Sequence, residues 1–419
     1  MYQSSDEFQS DYTIHVNAKH VIQTNTNVQF RIIDIPSRCY SMNECHRGIF
    51  MGSIGILVVN AESFDFEWQV SATLNPIMQV MMAKWYGMKQ LIVCVNRMDI
   101  FQQTKYSEEK FHEIHTRISK DLKKIGFEET IIIPISAMYG YNVTERSVAQ
   151  FLSWYSGKCL LEVLNEQGMK FQSEKALQKH CATQPLFDDY KFTNISTIHS
   201  PLKIPKKLSF WDLLSIQIFN KDCQKAYTND IVGICLSSPI LEDNHLTIVE
   251  HKNVATKSGF IISDPNFEPC CFIKSFEAHA KIVKSIEIRK IGRVFLVYYG
   301  FSRIPCRVEK VFRVITKNGQ SCSNNSLHTI VLEKGAVVIF KFIPQAKMLA
   351  NDPKNETKLS RILLLNDDRE VVSFAKITNV ERTNDERNDL LKRLEELLFH
   401  NKSTPIAWSF QDVTIQSFH

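Results

Sequence analysis

Three apolar, β-branched runs in the first third of the chain each end abruptly in polar residues. Phe30-Arg31-Ile32-Ile33 ends in Asp34-Ile35-Pro36, Gln90-Leu91-Ile92-Val93-Cys94-Val95 in Asn96-Arg97-Met98-Asp99, and Ile131-Ile132-Ile133-Pro134-Ile135 in Ser136-Ala137-Met138. A further run, Gly55-Ile56-Leu57-Val58-Val59-Asn60, stands between the first two. Continuous apolar runs suit strands buried on both faces, and such strands belong to parallel sheets covered by helices. Helical spacing supplies the covers. Ile77, Val80, Met81 and Lys84 recur helically between Pro76 and Tyr86, and Phe111, Ile114, Ile118 and Leu122 form one stripe between Ser107 and Ile125. Ser107-Glu108-Glu109 gives the longer helix an acidic start, and Gly126 stands where a helix stops. Residues 1–165 therefore read as an α/β domain. Its polar residues fall at the carboxyl ends of the strands, where such sheets place ligands.

From about Gln184 the pattern changes to short strands separated by turn residues. Examples are Leu214–Ile218, Ile231–Leu236, Ala280–Val283, Val294–Tyr299 and Val337–Phe342. Runs of this kind with few helix signals predict antiparallel β-barrels. The predicted fold class is α/β plus all-β, with residues 184–265 and 266–380 as two barrels. Residues 166–183 read as a polar linker and 381–419 as an appended tail. In that tail Leu390, Leu391, Leu394, Leu397 and Leu398 lie on one face of an amphipathic helix from Asp385 to His400.

The net charge of +5 is unevenly spread: Lys281 to Lys317 holds ten Lys/Arg against Glu287 and Glu309, or 10 − 2 = +8, leaving −3 for the rest. Such a segment, with Arg303, Arg307, Lys310 and Arg313 at its centre, favours an anionic partner such as RNA; the alternative is a solvated basic sheet face. The eleven cysteines include no Cys-x-x-Cys pair, and the histidines show no zinc spacing, so no metal site is expected. The polar, acidic amino terminus and the short apolar runs predict a cytoplasmic chain without a membrane span. The aromatic run Phe295–Tyr299 reads as strand core rather than a base-stacking platform.

The order of these elements resembles the G domain of translational GTPases followed by their two barrels. Trp154-Tyr155-Ser156-Gly157-Lys158-Cys159-Leu160-Leu161-Glu162, Phe127-Glu128-Glu129 and Gly140-Tyr141-Asn142-Val143-Thr144 resemble the Hbs-like ribosome-rescue GTPase that partners Pelota. Ser215-Ile216-Gln217-Ile218 with Asn229-Asp230-Ile231-Val232-Gly233, and Gly259–Pro265, are similar to barrel segments shared with elongation factor one-alpha and the class-two release factor. The resemblance implies that Asp99 accepts two hydrogen bonds from the guanine ring, that Asn96 addresses the O6/N7 edge, and that Arg97 covers the base where the family has Lys. Backbone N–H groups at Ser136, Ala137 and Met138 would read O6. Asp34, Pro36 and Thr13 would mark the phosphate and Mg²⁺ side.

That side departs from the family. No Gly-x-x-x-x-Gly-Lys-Ser/Thr loop occurs in the 419 residues. The family's Asp-x-Pro-Gly-His is here Asp34-Ile35-Pro36-Ser37-Arg38, and a protonated guanidinium cannot accept a proton from water. The family's Gln-Thr-Arg-Glu-His aligns with Asn75-Pro76-Ile77-Met78-Gln79. Four charge-assisted phosphate contacts at about 1.5–3 kcal/mol each amount to roughly 6–12 kcal/mol. The chain as written is therefore expected to lack catalytic residues, to hydrolyse no GTP, and to need GTP/GDP and Mg only if residual binding survives. The leading expectation is a non-hydrolysing binding module in translation or mRNA quality control. It would meet the ribosome, ribosomal RNA or a Pelota-like protein, with no DNA or membrane partner. Two alternatives stay open: an active GTP-binding factor whose phosphate loop is missing from this chain, and a structural RNA-binding protein that kept only the barrels.

Overall fold

The structure is a computed structural model. It describes residues 17–22, 28–36, 42–64, 76–101 and 107–175, the backbone of strands between 183 and 263, and most of 271–382. Thr13, Ser37, Arg38, Asn75 and the tail beyond Arg382 lie outside the described residues. The chain divides into two compact units, Met1–Gln178 and Lys179–His419.

In the first unit, β1 (Asn17–Ile22) and β2 (Gln29–Asp34) form an antiparallel pair. α1 (Met42–Met51) follows, then β3 (Ile54–Asn60), α2 (Pro76–Trp85), β4 (Gln90–Asn96), α3 (Ser107–Ile125), β5 (Ile131–Pro134) and α4 (Leu160–Lys175). Three of the four apolar runs make the expected parallel sheet, in the order β3–β4–β5. The fourth, ending at Asp34, pairs with β1 instead. No described pairing joins β2 to β3, and Ile32, Ile56 and Val58 on these two strands are 50%, 40% and 56% exposed.

The central strand shows why the runs are continuous. Leu91, Val93 and Val95 of β4 pack with Leu57, Val59 and Ile132 against Val80 of α2 and Phe111, Ile114, Ile118 and Leu122 of α3. Ile92 and Cys94 face the other way, with Ile133, Ile135 and Val163 of α4. Both faces are covered, so no polar residue is tolerated between Leu91 and Val95. Gly126 ends α3 at φ +103°, and its N–H bonds Leu122 O at 3.1 Å, as its position predicts. α4 begins at Leu160 and runs through the first part of the stretch read as a linker. The Cys159 N–H bonds the Glu162 carboxylate at 2.9 Å, which is one half of a capping box.

In the second unit, β6 (Thr183–Asp189), β7 (Phe192–Thr197), β8 (Trp211–Ile218), β9 (Lys221–Cys223), β10 (Ile231–Glu242), β11 (His245–Val249) and β12 (Ile261–Ser263) pair antiparallel in the order β9–β8–β10–β7–β6–β12, with β11 on β10. The remaining long strands are β13 (Cys271–Ile282), β14 (Val294–Tyr299), β15 (Ser302–Ile315), β16 (Val337–Pro344), β17 (Arg361–Leu365) and β18 (Val371–Arg382). They run β14–β17–β18–β13–β16–β15, and β15 pairs back onto β14, which closes the barrel. Large and small side chains alternate inside it. Ala278 stands opposite Phe340, and Phe276 opposite Phe342, with ring centroids 5.2 Å apart. Phe295, Val297, Tyr298 and Tyr299 are buried, as the strand-core reading expects.

Strand β15 carries the four cations singled out in the sequence, and all four are exposed. Strict alternation would turn Lys310 inward, because it differs in parity from Arg303 and Arg307. Two register shifts, between Val308 and Lys310 and between Val311 and Arg313, reset the parity twice and keep the cations outside. Glu309, one of the two acids of the basic segment, is spent on Lys341 of β16 at 3.0 Å. Arg303 and Arg307 have no ion-pair partner among the described residues.

Gly168 of α4 gives the fold a sharp test, because a Cβ there would meet Val28 Cγ1 at 2.7 Å and the Phe30 ring at 3.1 Å. Helix propensity alone favours Gly168→Ala by about 1 kcal/mol. Overpacking against the buried Val28 should reverse that sign, for a net loss of about 1–2 kcal/mol. Chemical denaturation of the variant measures it, and a stabilised variant would show that α4 does not press on β2.

Candidate guanine-reading site

The parallel register brings the ends of β4 and β5 together. Ile135 N–H bonds Val95 O at 2.8 Å, and Met98 N–H bonds Ile135 O at 3.2 Å, so the segments after both strands run side by side. Across this junction Ala137 N–H donates to Asn96 Oδ1 at 2.9 Å. The residues proposed to read guanine, forty-one apart in sequence, thus form one site.

Each position has a definite role in that geometry. Asn96 is held by Ala137 and uses its carbonyl to accept Ala61 N–H at 3.0 Å. Asp99 opens a short 3-10 turn, Met98–Phe101, as a half-buried carboxylate with no hydrogen bond or ion pair among the described residues. A carboxylate placed so is acceptor-only and fits two adjacent N–H donors of one ring. Ser136 N–H goes to Tyr141 O at 3.1 Å, and Ala137 N–H is engaged with Asn96. Of the three backbone donors expected from the sequence, Met138 N–H is the one without a partner among the described residues. The Met138 side chain is 86% exposed, beside Tyr139 at 56%.

Arg97 adopts φ +65°, a left-handed conformation costly for a residue with a Cβ. Its guanidinium pairs with Glu62 at 2.7 Å, with both side chains about half exposed (52% and 55%). That contact was not legible in the sequence, because Glu62 lies on the loop after β3. Asn142 is the other anchor that sequence reasoning left without a role. It is 2% exposed at φ +55°, donates from Nδ2 to Pro134 O at 3.0 Å, and accepts Ser147 N–H at 2.7 Å. The preference of Asn for the left-handed region is the one signal that could have found it.

The phosphate side is different. Asp34 is exposed at the end of β2 and Pro36 is buried, while Thr13 lies outside the described residues. Among the described residues no group of His, Cys, Asp and Glu side chains could hold a metal ion. Asn96 and Ala137 are thus joined across the ends of β4 and β5, while Asp34 stands apart as an exposed carboxylate at the end of β2. No helix of the described residues is long and apolar enough to cross a membrane.

These features match known proteins. The profile described as "Elongation factor Tu GTP binding domain" matches residues 2–185. The chain is 27% identical over 342 residues to elongation factor 1-alpha of Saccharolobus solfataricus, covering 78% of this chain and 73% of that one. It is 27% identical over 352 residues to elongation factor 1-alpha of Eimeria bovis, covering 80% and 95%. In fold it is similar to the Ski7 GTPase-like domain of S. cerevisiae bound to GDP and inorganic phosphate, at TM-score 0.65 and 14% identity, covering 90% of this chain and 85% of that one. It is also similar to the bacterial selenocysteine-specific elongation factor EF-Sec, at TM-score 0.60 and 16% identity. It covers 95% of itself in that comparison and spans 57% of the EF-Sec chain.

Two variants separate the causes at Asn142. Asn142→Gly keeps access to positive φ but loses both side-chain bonds, and should cost about 2–3 kcal/mol. Asn142→Ala adds the left-handed penalty of roughly 1–2 kcal/mol. Unfolding midpoints in the order wild type, Gly, Ala are expected, with faster hydrogen exchange over 136–147; equal midpoints for the two variants would refute the backbone part. Acid acts on the neighbouring α4 cap. The hydrogen bond from Arg146, then that from Cys159 N–H, hold the Glu162 carboxyl below the usual carboxylate range. A depressed folded-state value means the contribution is present above the unfolded value, near 4.3, and is lost as pH falls through the folded one. Glu162→Gln should flatten the stability profile in that window, which denaturation at pH 3 to 6 measures.

Proposed function

We propose that this chain, whose residues 2–185 match the elongation factor Tu GTP binding domain, is a translational GTPase relative that acts as a non-hydrolysing binding module in translation or mRNA quality control. The observation that carries this reading is a contrast within one domain. The Asn96–Ala137 hydrogen bond supports a guanine-reading edge that would include Asp99 and Met138, whereas the position that would handle the attacking water is Arg38, beside Ser37. These substitutions lie inside the sequence, so a shortened amino terminus does not account for them. Guanine nucleotide, if held, is held by its base, through Asp99 and Met138 N–H. Bound nucleotide would supply no turnover here, because Arg38 cannot accept a proton.

Docking falls to the closed barrel. Arg303, Arg307, Lys310 and Arg313 line one exposed strand face, which suits the phosphates of ribosomal RNA or an acidic surface of a Pelota-like protein. A second reading, an active GTP-binding factor, is favoured by one observation: the exposed aliphatic residues Ile56 and Val58 on β3 and Ile32 on β2. A further strand carrying a phosphate loop would cover them. Coding sequence for such a loop immediately upstream would decide for that reading.

Calorimetry with GDP and a non-hydrolysable GTP analogue tests the nucleotide part. Weak or no binding is expected, with any residual binding lost in Asp99→Ala, and no GTP turnover with or without ribosomes. Ribosome-stimulated turnover that Asp99→Ala abolishes would sink the proposal. For the barrel, reversing Arg303, Arg307, Lys310 and Arg313 to Glu should release the folded chain from ribosomal fractions. Wild-type association should weaken with salt, since the Debye length falls from about 10 Å at 0.1 M to 3 Å at 1 M. Undiminished co-sedimentation of the quadruple variant would mean that this face is merely solvated.

A further inference from the structure

We propose that the guanine-reading edge takes an unpaired guanosine of an RNA strand, with the neighbouring base stacked on Tyr139. This rests on the reading of Asp99 as a guanine acceptor and goes beyond it in naming the ligand as a strand rather than a free nucleotide. The turn after Ala137 carries the argument. Tyr139 is 56% exposed, yet its ring is not loose: it stacks on Tyr141 with centroids 5.8 Å apart and planes 24° from parallel. Tyr141 is itself fixed. Its carbonyl accepts Ser136 N–H at 3.1 Å, and its ring meets Phe151 edge-on at 5.7 Å, against the sheet core. One face of Tyr139 is thus backed by protein and the rest is open to solvent.

Tyr139 is two residues from Ala137, so its Cα lies within about 7.6 Å of the Cα of the residue that Asn96 holds. That is the reach of one nucleotide step. A single-stranded base is read by hydrogen bonds to its Watson–Crick edge and by stacking on an aromatic ring; the segments that carry these two elements here are joined by Met98 N–H to Ile135 O and Ala137 N–H to Asn96 Oδ1. Guanine presents a ring N–H next to an exocyclic amine, a donor pair suited to the Asp99 carboxylate, which has no partner among the described residues; adenine lacks that pair. Base–aromatic stacking contributes roughly 1–3 kcal/mol per base and needs no terminal phosphate. A strand therefore gains affinity from contacts that this turn displays, beyond those a free guanine base would make.

The test uses the full chain and fluorescein-labelled uridine pentamers with a central guanosine, inosine or adenosine, read by fluorescence anisotropy. Guanosine should bind tightest, and inosine, which lacks the exocyclic amine, about tenfold more weakly. Asp99→Ala should erase that difference. Tyr139→Ala, at an exposed turn, should weaken all three pentamers about tenfold and leave their ranking intact, with an unfolding midpoint measured alongside. Equal affinity for the three pentamers, or an unchanged Tyr139→Ala, overturns the inference. GDP calorimetry on the same preparation separates it from the reading beneath it. GDP binding that depends on Asp99 and is tighter than the guanosine pentamer keeps the guanine site and overturns the strand. Absence of both GDP and pentamer binding overturns the two together.

Discussion

The first unit depends on the pairing of β4 between two parallel neighbours. Its register sets Val95 opposite Val59 on one side and Pro134 on the other, so three strands end at one level. The hydrogen bonds Ile135 N–H to Val95 O and Met98 N–H to Ile135 O carry that register past the strand ends. Asn96 and Ala137 can then share a bond only because the backbones beneath them are locked. Sliding β5 by one residue would turn Ile132 and Ile133 to the wrong faces of the sheet, so core burial itself protects the geometry of the site.

The closed barrel solves a different problem with the same currency of burial. Its six long strands leave no edge between β14 and β15, and the interior alternates Ala278 and Ala280 with Phe276, Phe340 and Phe342. Burying β15 on one face obliges the other to be polar, but it does not dictate four cations. The two register shifts that hold Arg303, Arg307, Lys310 and Arg313 on the outer face add local twist and forgo regular ladder bonds. The neutralisation of Glu309 by Lys341 further leaves that face positive.

Strain and exposure mark the site as clearly as its motif does. Arg97 and Asn142 are two of the three non-glycine residues with positive φ among the described residues, one next to Asn96 and the other bonded to Pro134 O at the end of β5. Conformations of this kind persist where the surroundings over-determine them. For Asn142 the surroundings are Pro134 O and Ser147 N–H, and for Arg97 the Glu62 carboxylate. Met138 and Tyr139 leave large apolar surface in water at the same place.

The sequence by itself determined the parallel strands at 54–60, 90–96 and 131–134, the helix Ser107–Ile125 with its glycine stop, and the change to antiparallel strands beyond Gln184. Periodicity and burial are local properties, written in every run of four to eight residues. It also marked Asn96, Asp99 and Ser136–Met138 as the residues that strand ends would present. Tertiary structure alone decided the rest. The strand ending at Asp34 has the same apolar grammar as β4, but it pairs with β1, because pairing is chosen by available edges and not by composition. Alternation misplaces Lys310, since a bulge adds a residue without leaving a mark in a hydropathy pattern. Glu62 and Asn142 act through partners brought near by folding, and no spacing along the chain encodes a contact between the loop after β3 and the loop after β4.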